Sequence, residues 1–135
     1  MTDQTVRGGC FCGRIRYEAD APFFHQTVCH CSICRRTAGA PFVAWFSAAR
    51  NAFRLIAGTP TRFDSTSHGT RSFCPECGTQ LLFEDSELPE ELDINSCSLD
   101  DPDAIAPHDE THTATRLRWI PLAADLSSYP DKRAR

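Results

Sequence analysis

Cys29, Cys31 and Cys34 fall within six residues in the segment Val28-Cys29-His30-Cys31-Ser32-Ile33-Cys34-Arg35-Arg36. The spacing C-x-C-x-x-C lets three thiolates converge on one cation. A closed tetrahedral zinc site needs four ligands, and no fourth cysteine is close by in sequence. A metal with one position left for water or substrate is the pattern of a catalytic site. Arg35 and Arg36 follow at once. They read either as solvated charges or as substrate-binding groups, because the guanidinium fork matches a carboxylate. The competing reading completes the shell with His25, His30 or Cys97 and makes this zinc structural. A further alternative leaves the metal weakly held and easily lost. His30, between two ligand cysteines, is expected to point away from the metal, with a general base as its alternative role.

Cys10, Cys12, Cys74 and Cys77 form a second, complete set. Each pair sits on a turn followed by glycine, C-x-C-G and C-P-x-C-G. Such turns aim backbone N–H groups at the sulfurs and offset thiolate charge. A closed shell of four thiolates has no open position, so this is expected to be a structural zinc that clamps the first strands to the middle of the chain. Cys97 is left over, and a lone cysteine reads most simply as a small core residue. The His108 and His112 pair has helical spacing, but its surroundings are not helical, so it is not read as a metal pair. Phe42 and Trp45 read as core, with pocket lining as the alternative.

Eight cysteines in 135 residues also raise the possibility of disulfides. Metal-ligand spacings and the lack of a secretory pattern at the N-terminus argue against that framework. The expected compartment is therefore cytoplasmic. The length fits one domain, 1–135, with a core over about 8–122 and a disordered tail at 131–135. No apolar run has the length of a membrane span. A formal net charge of −4 with no basic run disfavours nucleic acid as a partner.

Short strands must position these groups. Residues 1–7 read as a frayed start, 14–19 and 23–28 as strands, and Ser32 as the cap of a short helix through Ala38. Gly39-Ala40-Pro41 ends that helix, and 42–46 is a buried strand. Residues 52–57 and 61–64 flank Gly58-Thr59-Pro60 as a hairpin. Strands at 70–73 and 80–83 bracket the C-P-E-C turn, and 92–96 alternates as another strand. The stretch from Pro107 to Thr115 is polar and undefined. Leu117, Trp119, Ile120 and Leu122 form a last apolar patch. The fold class is mainly β, with little helix and metal turns at strand ends.

Four segments together resemble the glutathione-dependent formaldehyde-activating enzyme family, also called the centromere protein V type. They are Gly9-Cys10-Phe11-Cys12-Gly13, Cys29 to Arg36, Gly39-Ala40-Pro41-Phe42, and Phe73-Cys74-Pro75-Glu76-Cys77-Gly78-Thr79. The likeness runs from about Gly8 to Trp119. It implies an Mss4-like fold of antiparallel sheets held by two zinc sites, with Cys10, Cys12, Cys74 and Cys77 structural and Cys29, Cys31 and Cys34 catalytic. It also implies carbon–sulfur lyase activity, the reversible joining of formaldehyde to glutathione as S-hydroxymethylglutathione. Members often carry a histidine before the late tryptophan, and Glu110 aligns with that place here. The expected function is a zinc-dependent carbon–sulfur lyase for a small thiol adduct, with glutathione as a possible co-substrate. The rivals are a non-catalytic zinc module that binds a protein partner, and a nucleic-acid or cytoskeletal binder disfavoured by the net charge. The substrate and the oligomeric state are not legible.

Overall fold

The computed structural model describes residues 4–133. Strands β1 (Thr5–Gly9), β2 (Arg16–Asp20) and β3 (Phe23–Cys29) lead into helix α1 (Ser32–Ala38). Then come β4 (Val43–Ala49), β5 (Phe53–Ala57), β6 (Thr61–Asp64), β7 (Gly69–Phe73), β8 (Gln80–Asp85) and β9 (Glu91–Asn95). Two short strands close the chain, β10 (Asp109–Thr111) and β11 (Ser127–Ser128). Among the described residues no helix is long and apolar enough to cross a membrane.

The strands form two sheets. The smaller has the order β1-β2-β5, and the larger β11-β10-β3-β4-β9-β8-β7-β6. The expected mainly β class is observed. Most pairs are antiparallel, but β10 runs parallel to both β3 and β11.

Alternation along the central strands divides the large sheet into two faces. Phe46 and Ala48 of β4 and Leu92 and Ile94 of β9 turn toward the small sheet. There they join Val6, Ile15, Tyr17 and Ala19 in one apolar core. The Tyr17 hydroxyl finds a partner in Ser98 Oγ at 2.6 Å, as a buried phenol requires. Their neighbours in sequence, Trp45, Ser47 and Asp93, turn to the opposite face and line a cavity.

Several expectations change. Residues 5–7 are not frayed, because Thr5, Val6 and Arg7 pair with Asp20, Ala19 and Glu18. The expected hairpin does not form: β5 joins β2 and β6 joins β7, in different sheets. Gly58 makes the crossing at φ 79°, pressed so closely on Arg14 that an added Cβ would stand 2.4 Å from its carbonyl oxygen. The polar stretch after Pro107 holds β10, whose Asp109, Glu110 and Thr111 are all buried. Cys97 is exposed in a one-turn helix rather than packed in the core. Trp119 is 70% exposed. Of the tail expected to be disordered, Asp131 accepts a hydrogen bond from the His112 N–H, and Arg133 forms a bidentate pair with Asp109. Ala134 and Arg135 lie outside the described residues.

Candidate metal centres and cavity

The turn after β1 and the turn between β7 and β8 bring Cys10, Cys12, Cys74 and Cys77 together. Their sulfurs lie 3.5 Å apart for Cys10 and Cys12 and 3.8 Å for Cys12 and Cys74. A sulfur–zinc bond of about 2.3 Å gives tetrahedral edges of about 3.8 Å, so the set fits that ion. Backbone N–H groups of Ile15, Glu76 and Cys77 point at Cys10 and Cys74 sulfurs from 3.3 to 3.5 Å. Gly13 and Gly78 both take φ 81°, the left-handed turn read from the sequence. The Thr79 hydroxyl and nearby backbone donors pull the Cys77 thiol down to about 5. Thr79 Oγ1 also accepts from Phe11 N at 3.0 Å, tying the two turns directly.

The second cluster is built at the junction of β3 and α1. Cys29 ends the strand, and Cys31 precedes the helix. Its sulfur accepts the Cys34 N–H at 3.2 Å and so caps the helix, in place of the expected Ser32. Gly39 closes the helix in the left-handed conformation at φ 65°. One helical turn brings Cys34 Sγ to 3.5 Å from Cys29 Sγ. Hydrogen bonds from Cys29 and Cys34 pull Cys31 down, and those with Cys31 and Cys34 push Cys29 up. The trio has the softness and spacing to hold zinc.

Among the described residues no fourth histidine, cysteine or carboxylate joins this trio. The proposed completions each go elsewhere. His30 is fully buried, with Nε2 at 2.8 Å from Glu110 Oε1, and its ring lies beside Phe42. Glu110 Oε2 in turn accepts the Ala123 N–H. His25 sits in a bulge of β3 at φ 54°, with Nδ1 3.4 Å from Ser47 Oγ. Cys97 is exposed and does not join the cluster.

The trio faces a cavity of about 700 Å³. Trp45 and Phe83 supply its apolar wall, and Ser47, Asp93, His25 and Arg71 its polar groups. Trp45 is thus both buried and pocket lining. Cross-strand register explains the arrangement, since Ser47 opposes Asp93, Asp93 opposes Phe83, and Phe83 opposes Arg71. Ser47 Oγ donates to Asp93 Oδ1 at 2.6 Å. Burial, aided by the Glu91 and Asp85 charges, pushes the Asp93 carboxyl up to about 6, against the Ser47 hydrogen bond and the charge of Arg133. Arg35 and Arg36 are not among the lining residues. Arg35 donates to the Thr115 carbonyl at 3.0 Å, and Arg36 is exposed.

Sequence reasoning missed Ser47, Arg71 and Asp93. The available signal was polar residues alternating with apolar ones inside strands, which more often marks a solvated face.

A family model described as glutathione-dependent formaldehyde-activating enzyme matches residues 5–115. The chain belongs to that family. A Halomonas elongata protein named with the same family description is 26% identical over 142 residues, which span 94% of this chain and 90% of that protein. A Schizosaccharomyces pombe protein named as an uncharacterized lyase is 33% identical over 76 residues, 56% of this chain and 55% of that one. A crystal structure of a Rhodobacter sphaeroides protein superposes with a TM-score of 0.62 at 24% identity, covering 73% of this chain and 94% of the other. That likeness speaks to the fold alone. The family match takes in both cysteine clusters, α1 and the cavity residues from β3 to β9.

Proposed function

We propose that this family member is a zinc-dependent carbon–sulfur lyase for small thiol adducts. Glutathione joined to formaldehyde is the first substrate to test. The observation that carries the reading is a three-cysteine cluster with no fourth protein ligand among the described residues, opening on a cavity large enough for a small thiol. Cys10, Cys12, Cys74 and Cys77 would hold a structural zinc, and Cys29, Cys31 and Cys34 a catalytic one. Bound there, the ion would hold a substrate thiol in its deprotonated form.

The chain's own groups supply the rest. Trp45 and Phe83 exclude water from one side of the substrate. Ser47 and Asp93 handle the proton. In the cleavage direction the hydroxyl proton of the S-hydroxymethyl group passes through Ser47 to the Asp93 carboxylate. The carbon–oxygen double bond forms, the carbon–sulfur bond breaks, and its electron pair stays on sulfur. Addition of the thiolate to the aldehyde is the same path reversed, with Asp93 returning the proton to oxygen. Arg35 and Arg36, on the helix that carries Cys34, would receive the carboxylates of a tripeptide thiol at the surface.

The test is exchange between free glutathione and S-hydroxymethylglutathione, followed by NMR, with zinc content measured in parallel. Cys31→Ser is expected to abolish enzyme-dependent exchange and lower zinc content while leaving the circular dichroism spectrum unchanged. Full exchange in Cys31→Ser would refute the assignment. Two zinc ions that both resist a chelator, with no exchange for any thiol tried, would instead favour a zinc module that binds a protein partner.

A further inference from the structure

Arg71 lies in the middle of β7 and is 5% exposed. A buried guanidinium is costly unless a negative group balances it. Among the described residues the arginine–carboxylate ion pairs belong to Arg7, Arg16, Arg50, Arg54, Arg62 and Arg133, and none reaches Arg71. Its Nε has no hydrogen-bond partner. Its other contacts are Cys34 Sγ at 3.5 Å from Nη2, Thr37 Oγ1 at 3.4 Å from Nη1, and the face of Phe83, 5.0 Å from the ring centroid. It also lines the cavity. Among the described residues the anionic group it contacts directly is the three-cysteine cluster, through Cys34.

We infer that Arg71 sets the charge of this centre so that its open position takes an anionic sulfur. The inference rests on the open-centre reading above. Three thiolates around a divalent cation leave one net negative charge, and Arg71 brings the assembly to neutrality. A fourth thiolate then raises the charge only to one negative. Without Arg71 it would reach two beside the buried Cys29 and Cys34, where like charges repel strongly. Arginine suits the role because it stays protonated, and its flat group is fixed between Phe83 and Thr37. Arg71 is therefore a positioning residue that selects thiols entering as thiolates over neutral donors such as imidazole or water.

The test uses cobalt(II)-substituted protein and reads the sulfur-to-cobalt charge-transfer band, with no turnover required. The closed four-cysteine centre acts as an internal reference. Three probes are titrated: 2-mercaptoethanol, which has no carboxylate, glutathione, which has two, and imidazole, which is neutral. Arg71→Met is expected to weaken 2-mercaptoethanol binding by about tenfold or more and to leave imidazole binding unchanged or tighter. Arg71→Lys should recover part of the loss. Arg71→Gln keeps hydrogen-bond donors without the charge and should behave like Arg71→Met, which covers the case in which the methionine variant fails to fold. Equal thiol affinity in wild type and the uncharged variants overturns the inference. So does a loss seen with glutathione but not with 2-mercaptoethanol, which would put Arg71 on a substrate carboxylate. A wild-type spectrum that ignores every thiol removes the open-centre reading itself, and this inference with it.

Discussion

Asp93 is a carboxyl group whose hydrogen-bond donor is a serine rather than an arginine. Its burial shifts it up to about 6, above the value near 4 of an unfolded chain. Between these values the native state holds a proton that the unfolded state has lost. Stability therefore falls as pH rises through the window, and the loss is complete above it. Asp93→Asn is expected to raise stability at neutral pH by about 1–3 kcal/mol, read as a higher midpoint in urea, and to cut exchange activity by about a hundredfold. An active variant would remove Asp93 from proton transfer. Arg35 and Arg36 give a separate test. The double change to glutamine should raise KM for glutathione with little effect on kcat, and an unaltered KM would shift carboxylate recognition to other groups. Residue identity was legible where spacing carried it: seven cysteines fell into the two expected clusters. His30 was not, because its partner Glu110 is 80 positions away on a strand that has no alternating pattern.

Elements show a different balance. The short helix was legible at both ends, from the cysteine loop to Gly39, although the capping atom is a sulfur rather than the serine hydroxyl. A sulfur that caps the helix is also held in place by it, so the same N–H that starts α1 fixes Cys31 toward its neighbours. The 52–64 segment misled because a turn with glycine and proline between two apolar runs looks the same whether the strands pair with each other or diverge. Gly58 decides the outcome through backbone contact with Arg14, which no local pattern reveals. Gly58→Ala combines a positive φ with a clash against a carbonyl oxygen and is expected to cost about 2–4 kcal/mol, measured by chemical denaturation. A neutral result would mean that the crossing between sheets is not constrained there. β10 escaped notice because three residues joining an edge in parallel leave too short a pattern to read.

At the scale of the molecule, the four-cysteine centre joins the small sheet to the large one across the apolar core. Zinc bound there would contribute directly to folding. Removing it with a strong chelator, or replacing Cys77 with serine, is expected to lower the unfolding temperature by at least about 10 °C. Stripping only the three-cysteine centre should shift it far less. Equal shifts would mean that both centres staple the fold. The mainly β class was legible from the strand pattern, and both cysteine clusters from their spacing. The cavity was not, because it depends on which face of β4, β8 and β9 each side chain takes, and hence on the pairing of distant strands.

That pairing has a consequence for how such a protein changes over time. In β4 and β9 residues that hold the two sheets together and residues that face the cavity alternate along the same strands. Phe46 and Ala48 pack in the core, and Trp45 and Ser47 line the cavity. Drift at one set leaves the other nearly untouched. A family built on this sheet is free to reshape its cavity by altering every second residue, without renegotiating its own architecture each time.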